Sequence, residues 1–565
     1  MTLLVSAFDA VATAISTGHI GTPVAVRVVA HLTPDHGLVS HFSALCLDAA
    51  SDWLRSSAES IATAGRIQKG QVTALTRYQG GQTALVSVGS SGTGSPAFEV
   101  VVVGSRGVLT WNGGRDLPQT LPANELESKL SPAAKRIQTA FLTALENQRL
   151  VKIDKAGNSK IVDSIKRVAQ ERQVQVLPRK RKQRSPFGVL LVAGDHTHQP
   201  GYSAALAADG RCKLIGLTDD GDLTPERKRL NQQFAKRLGI EFLPDLETAL
   251  ARDDVHIVSI CAEPIRRGRI IVAAAKAGKH LYLDKPLVGT LADADAVVAA
   301  VEKANVVSHM FTQIHWPAAR RARQIIRDGA LGELVSIHCD LFFAKGSTGT
   351  AKLDEPRRED AVPHRYEWLD AKRELTNVGV YPVAMVLWLL GKTARSVSAS
   401  TGNYFFAEHE KQGAEDFGQI LIEFEEEITA SISVGRTGWR SHPAGGFNRT
   451  YLSGTKQTVV VDAHDPHVEI WADVDAWQAP ARNPDDPMGM WGVPKEGPFS
   501  AEPKQAWITE SVPRSADVTH FLDCIEQGRD SAIPARLAAA ATEILLAGYR
   551  SAAEGRIVEL PLPRT

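Results

Sequence analysis

From residue 186 onward, short apolar runs alternate with stretches that are apolar at helical spacing. Val189 to Val192 predicts a buried strand, Ala193-Gly194 a turn, and Tyr202, Ala205 and Leu206 the buried side of a helix. A second strand, Lys213 to Leu217, ends at Asp219-Asp220. The pattern continues as helix Asn231 to Leu238, strand Glu241 to Leu243, helix Leu246 to Ala251, strand Val255 to Cys261, helix Arg269 to Ala277 and strand His280 to Leu283. Strands alternating with helices at these lengths predict a doubly wound parallel sheet.

Within this unit the order strand, turn, helix, strand, acid, with the acid about 20–25 residues past the turn, is that of a dinucleotide-binding βαβ unit. A turn with little side chain lets phosphate approach the N–H groups of a helix N-terminus. Gly194, Asp195, His196, Thr197 and His198 are therefore the expected phosphate-side contacts. Asp219 is expected to accept from a ribose 2′-OH and to repel a 2′-phosphate, favouring NAD over NADP. Of the glycine fingerprint only the middle glycine, Gly194, is present, and the turn by itself reads equally well as a strand-to-helix connection capped by Asp195 or Thr197. His196 and His198 stand two apart with no third ligand near them, so no metal is expected.

The stretch VSICAEPIRRGRIIVAAAKAGKHLYLDKPL resembles the Gfo/Idh/MocA family of NAD(P)-dependent oxidoreductases, in which a turn, an amphipathic helix ending Ala-Gly-Lys-His, a strand and a Glu-Lys-Pro motif follow in that order. Asp284-Lys285-Pro286 stands at the motif, and Ala262-Glu263-Pro264 replaces the family's Thr-Pro-Asn turn. The resemblance implies cofactor contacts at Glu263, Pro264, Lys285 and Gln313, and a catalytic role for Lys285. Where family members show Asp-x-Gly-x-His, this chain has Asn377-x-Gly379-x-Tyr381. By the same resemblance Tyr381 relays a proton beside Lys285, whose charge would stabilise the phenolate, and Asn377 supports the pair. His315, and His364, Tyr366 and Trp368 of the polar insert before that motif, are expected to reach the substrate.

A search for internal repeats changes the domain picture. SAFDAVATAISTGHIGTPVAVRVVAHL matches AARRARQIIRDGALGELVSIHCDLFF in type, with Gly18 and Gly21 against Gly329 and Gly332. Further matches follow in order: Trp53 against Trp388, Tyr78 against Phe424, Gly104 against Gly454, Phe141 against Phe521, and Val176-Leu177-Pro178 against Leu560-Pro561. In the same alignment Cys46 and Phe42 stand opposite Tyr381 and Asn377, so one active site is expected. The predicted fold class is an α/β Rossmann nucleotide-binding domain (186–317) and, as the resemblance implies, an α+β open-sheet substrate domain (318–565), preceded by a degenerate copy of the latter (1–178) and a basic linker (179–185). The copy is expected to cover the sheet of residues 318–565 as an internal pseudo-dimer, with further homo-oligomerisation open.

Lysine plus arginine equal aspartate plus glutamate at 64 each, so no global basic excess points to nucleic acid, and the run Arg179 to Arg184 reads as a solvated linker. The five cysteines are scattered without a CxxC pair, as in a reducing compartment such as the cytoplasm. No apolar run approaches the about 18–20 residues of a membrane span. The resemblance to the Gfo/Idh/MocA family implies an NAD-dependent oxidoreductase moving hydride between nicotinamide and a carbinol carbon of a sugar, cyclitol or polyol. Two other uses of the same fold stay open: a non-catalytic nucleotide-binding sensor, and a redox-neutral glycoside-cleaving enzyme holding NAD tightly.

Overall fold

The computed structural model describes residues 2–18, 20–32, 36–67, 71–90, 97–112, 130–147, 149–153, 159–161, 182–183, 185–193, 198–221, 223–344, 357–358, 373–437, 446–463, 467–472, 504–507 and 515–564. The first sheet is built from β1 (Pro23–Leu32), β2 (Ala58–Arg66), β3 (Gln71–Tyr78), β4 (Thr83–Ser90), β5 (Ala97–Gly104), β6 (Gly107–Asn112), β7 (Val151–Ile153) and β8 (Ser159–Ile161). Their order is β6-β5-β1-β4-β3-β2-β7-β8. Alternation along β1 gives each face its own task. Val26, Val28 and Ala30 pack with Phe42, Leu47, Trp53 and Phe141 of the helices His36–Leu54 and Pro132–Asn147, whereas Arg27, Val29 and His31 point away from these helices.

The second sheet holds β9 (Phe187–Val192), β10 (Cys212–Thr218), β11 (Glu241–Phe242), β12 (Ile257–Ile260), β13 (His280–Leu283) and β14 (Ser308–Met310), ordered β11-β10-β9-β12-β13-β14. Every pairing is parallel. The order reverses between β9 and β12, which opens the crevice where dinucleotides bind in doubly wound folds. Its strands are buried on both faces, Leu190 and Val192 in one core, Val189 and Leu191 in another. Two helices begin earlier than apolar spacing predicted. Pro225–Leu238 starts on a Thr224 cap and Pro264–Lys276 on Pro264, because a first-turn proline needs no N–H partner and the charged first turns carry no apolar signal.

The third sheet comprises β15 (Leu334–Ala344), β16 (Arg357–Arg358), β17 (Ala394–Asn403), β18 (Phe417–Phe424), β19 (Thr429–Thr437), β20 (Gly446–Gly454), β21 (Gln457–Asp462), β22 (His467–Ala472), β23 (Lys504–Trp507) and β24 (Val558–Glu559). The order is β16-β17-β18-β19-β15-β20-β21-β22-β23, with β24 paired to β17.

In the first and third sheets, β2-β3-β4-β1-β5-β6 and β17-β18-β19-β15-β20-β21 run in the same order and senses. Their registers also agree. Ala25 pairs with Thr83 as Ser336 pairs with Thr429, Ala58 with Tyr78 as Ala394 with Phe424, and Pro23 with Gly104 as Leu334 with Gly454. The Gly-x-x-Gly turns share a conformation, with Gly21 at φ 71° and Gly332 at φ 73°. A Cβ on Gly21 would lie 2.1 Å from Ser105 Oγ and one on Gly332 2.4 Å from Thr455 Oγ1, so the turns admit only glycine. These hydroxyls accept from Thr22 N and Glu333 N, at 2.9 and 3.0 Å.

The last paired segments differ from the sequence alignment. Helix Pro132–Asn147 packs on the helix His36–Leu54 and on β2, the place that Ala535–Glu554, not Ala516–Gln527, takes on β17. The strand matching β24 is β7: Val151 pairs with Ile61 as Val558 pairs with Val397. Val176-Leu177-Pro178 lies outside the described residues. Counting back from the left-handed residues Arg55 and Gly391 puts Leu45 and His41, rather than Cys46 and Phe42, opposite Tyr381 and Asn377. Neither alignment puts an Asn or Tyr of the N-terminal region opposite Asn377 or Tyr381.

The outer faces of the first and third sheets meet. Leu75 and Leu421, equivalent by register, share one apolar cluster with Ala64 and Leu85. Val24, Ala25, Val101 and Val103 pack on Phe342, Tyr404, Phe405, Phe406 and Phe417. Arg27 Nη2 lies 2.7 Å from Asp340 Oδ2, and Arg449 Nη1 donates to Glu99 Oε1 at 2.6 Å. Arg77 donates to the carbonyls of Ala399 and Ser551, and Tyr404 Oη to that of Gly81 at 2.7 Å.

Candidate functional site

Three side chains meet where β13 ends. Lys285, 6% exposed, donates to the main-chain oxygen of Asn377 at 2.7 Å and to Asn377 Oδ1 at 2.5 Å. Its Nζ stands 4.9 Å from the centre of the Tyr381 ring. Desolvation lowers its pKa to about 8, although Asp284 and Glu374 pull the other way. The Lys285-Pro286 peptide is cis.

Asp284 is the negative centre of the site. Its Oδ1 accepts from Tyr202 Oη at 2.9 Å and lies 2.8 Å from His198 Nδ1, and its Oδ2 faces Arg267 Nη2 at 3.2 Å. Burial alone would raise this carboxyl, but His198, Arg267 and Lys285 together bring it down to about 2. The buried Arg267 also donates to the carbonyls of Ala262, Asp284 and Pro286, clamping the ends of β12 and β13.

Asn377 ends the short helix Glu374–Asn377, and its Nδ2 donates to Glu374 Oε2 at 3.2 Å. Glu374 Oε1 accepts from Arg436 Nε at 2.7 Å and lies 3.1 Å from His409 Nε2. Burial would raise Glu374, but His409 and Arg436 hold it below the usual carboxylate range. The charge that an Asp at position 377 would carry thus stands one turn back and reaches Lys285 through the neutral amide. Glu415 and Tyr549 fix this turn: Glu415 Oε1 accepts from Leu375 N at 3.0 Å, and Tyr549 Oη accepts from Thr376 N at 2.9 Å. Gly379 follows, and a Cβ there would lie 2.2 Å from Leu375 O.

Tyr381 is buried, and burial with the Asp284 charge raises its pKa far above that of a free phenol. Lys285 faces its ring rather than its hydroxyl. The expected phenolate is therefore replaced by a neutral phenol. Relay through a charged tyrosine is disfavoured, and Lys285 is the group that titrates near neutrality.

Asp219 also departs from expectation. It is buried, its Oδ1 accepting from Arg266 Nη1 at 2.9 Å and its Oδ2 from Asn231 Nδ2 at 2.7 Å. The carboxylate is committed to protein donors and anchors Arg266 at the edge of the crevice, so its expected role as a free ribose acceptor is not seen. Glu263, the residue before helix Pro264–Lys276, also pairs with Arg266 at 2.6 Å, and Pro264 is buried at that helix start. His198, expected on phosphate, holds Asp284 instead. Gln313 Oε1 accepts from Asn448 Nδ2 at 3.3 Å, and His315 is turned toward Asp517 and away from the predicted substrate role. Gly194, Asp195, His196, Thr197, His364, Tyr366 and Trp368 lie outside the described residues.

Sequence spacing missed Arg267, Glu374 and Gln199. Gln199 Nε2 donates to the carbonyls of Val192 and Ser259, bridging β9 and β12 at the switch point. A buried arginine inside an otherwise amphipathic helix was the available signal for Arg267. Ala193, at the start of the crevice turn, has φ 62°, a left-handed backbone unusual for alanine.

The profile described as "Oxidoreductase family, NAD-binding Rossmann fold" matches residues 203–312, and "GFO/IDH/MocA C-terminal domain" matches residues 319–460. D-apiose dehydrogenase of Paraburkholderia graminis is 26% identical over 345 residues, 60% of this chain and 81% of that protein. Levoglucosan dehydrogenase of Pseudarthrobacter phenanthrenivorans is 34% identical over 110 residues, 19% of this chain and 28% of that protein. A reductase of a dTDP-didehydro-dideoxyglucose from Streptomyces antibioticus is 24% identical over 240 residues, 42% of this chain and 68% of its own. Among solved structures, an oxidoreductase domain protein of Kribbella flavida aligns with TM-score 0.52 at 20% identity, over 67% of this chain and all of that one. Levoglucosan dehydrogenase in complex with NADH aligns with TM-score 0.51 at 20% identity, over 66% of this chain and 99% of that one. Among the described residues no helix is long and apolar enough to cross a membrane.

Proposed function

We propose, from the match of residues 203–312 and 319–460 to the two Gfo/Idh/MocA family domains, that this chain is an oxidoreductase of that family that oxidises a carbinol of a sugar, cyclitol or polyol with NAD, Lys285 taking the proton. The cofactor fits the crevice: the strand order reverses between β9 and β12, a helix N-terminus at Gln199 follows β9, and the Ala193 backbone is already in the open, left-handed form. Bound there, NAD supplies a hydride acceptor.

The observation that carries the reading is the Lys285 amine. Uncharged, it gives its two N–H bonds to the two oxygens of Asn377 and keeps its lone pair for a third direction. The carbinol O–H proton passes to that lone pair while the carbinol C–H leaves as hydride, yielding a carbonyl and a lysine ammonium. A pKa of about 8 suits a base that must accept and return a proton near neutral pH. Desolvation sets that value, Asp284 and Glu374 moderate it, and the ring of Tyr381 covers the amine. Related proteins named for apiose, levoglucosan and myo-inositol support the substrate class.

Residues 1–178 we read as a copy of the substrate domain that has lost its site and serves as a covalent partner for the sheet of residues 318–565. The shared strand order and register support this, as does the pairing of equivalent Leu75 and Leu421. The free state of all five cysteines supports a reducing, cytoplasmic setting. Calorimetric titration of nucleotide-stripped protein tests the functional reading: micromolar NAD binding with NADP weaker is expected, and failure to bind either removes it.

A further inference from the structure

Beside Tyr282 of β13 lies a second polar cluster that the proposed reaction does not use. His309 of β14 is fully buried, His315 sits in the loop that follows, and Asp517 opens the helix Ala516–Gln527. One ligand atom from each lies within 4.8 Å of the others. Asp517 Oδ1 is 3.0 Å from His309 Nε2 and 3.6 Å from His315 Nε2. His309 Nε2 and Asp517 Oδ1 face each other as an ion pair outside hydrogen-bond geometry, and neither His315 Nε2 nor His309 Nδ1 has a hydrogen-bond partner. A buried polar atom without a hydrogen bond costs about 1–3 kcal/mol, so this convergence of two imidazoles on one carboxylate oxygen calls for a shared occupant.

We propose that His309, His315 and Asp517 bind a divalent transition-metal ion of the zinc class. Metal–ligand bonds of about 2.0–2.2 Å put donor atoms roughly 3–4 Å apart, the range of the two separations to Asp517 Oδ1. Two imidazoles and one carboxylate suit zinc, cobalt, nickel or iron(II), and disfavour magnesium and calcium, which take oxygen ligands.

The surroundings prepare these donors. Tyr282 Oη donates to Asp517 Oδ2 at 2.7 Å, which turns Oδ1 toward the imidazoles and acts as an outer-sphere support. His520 stands one turn along from Asp517 with its ring 4.7 Å from that of His315. Its Nε2 accepts from Ala532 N at 2.9 Å, which puts its proton on Nδ1 and makes it a wall of the site rather than a ligand. Three protein donors leave the ion at least one open position, and His315, partly exposed, gives it a route in. The bound ion would tie the last strand of the nucleotide domain to a helix of the C-terminal domain.

The test is elemental analysis and equilibrium dialysis of the full-length chain, freed of metal by a chelator, against zinc, and against cobalt(II) with its visible ligand-field bands as the probe. One equivalent per chain is expected. His309→Ala and Asp517→Asn should each weaken binding by at least about 100-fold, and Tyr282→Phe by about 10-fold or more. Circular dichroism checks that each variant folds. If the two buried variants do not fold, His315→Gln, at the partly exposed ligand, decides by the same loss of affinity. Substoichiometric binding by the parent chain, or affinity unchanged in the folded variants, overturns the proposal.

Discussion

Replacing Asn377 by Asp puts a negative oxygen where a neutral one now accepts from Lys285 Nζ at 2.5 Å. The two side chains are nearly the same shape, so the change is almost purely one of charge. At 4 Å and an effective dielectric near 20, an opposite unit charge stabilises the ammonium by about 4 kcal/mol, about three pKa units at 1.36 kcal/mol each. Two effects reduce this. The new carboxylate is itself desolvated, and it faces Glu374, which now accepts from Asn377 Nδ2 at 3.2 Å. A rise of about one to two units is expected, carrying Lys285 from about 8 to about 9 or 10. The neutral amine population at pH 7.5 then falls about 10- to 100-fold, and kcat/KM for NADH formation falls with it. The assay is the pH profile of kcat/KM, paired with competitive acylation of the Lys285-bearing peptide followed by mass spectrometry, which reads the amine pKa without substrate. A midpoint that stays near 8, or moves down, refutes the electrostatic account of the site.

Glu374→Gln removes a charge that raises Lys285, so the same midpoint should move below 8, visible in the same labelling experiment. Ala193→Gly relieves a left-handed backbone and should stabilise the protein by about 1 kcal/mol without weakening NAD binding, as read by thermal unfolding and calorimetry. Asp284 has a folded-state pKa below its unfolded one, so it stabilises the protein above about pH 4 and that contribution is lost as pH falls toward 2. Asp284→Asn should flatten the acid limb of a stability profile over that window. Asp340→Ala leaves Arg27 buried between the sheets with Glu99 alone, 3.7 Å away, and should cost about 3 kcal/mol in urea unfolding.

The parallel sheet was legible because its strands are continuous apolar runs, buried on both sides, and its helices carry one apolar face. Elements whose ends are polar, such as the Pro225 turn, were placed late, since caps and charges leave no periodicity. The likeness of strand order between the first and third sheets was legible through the glycines of their turns, Gly21 and Gly332 above all. The final helix was misaligned because AFLTALENQRL and HFLDCIEQGRD are equally amphipathic, and only packing tells that Pro132–Asn147 takes the place of Ala535–Glu554. Lys285, Asn377 and Tyr381 were brought together as their motifs implied. Their tuning was not legible: Glu374, Arg436 and His409 come from three separate segments, and Asp219 looked free because its partner Arg266 lies 47 residues on. The His309, His315 and Asp517 cluster was invisible for the same reason.

The most direct measurement is NADH formation at pH 8 across a panel of aldoses, anhydrosugars and cyclitols, for the parent chain and for Lys285→Met, with NAD affinity of both measured by calorimetry. The account predicts turnover on at least one member of the panel, and a loss of about 10²- to 10⁴-fold in kcat/KM for the variant, measured at saturating NAD that the variant still binds. Equal turnover by Lys285→Met, or tight NAD binding with no NADH from any member of the panel, would contradict it.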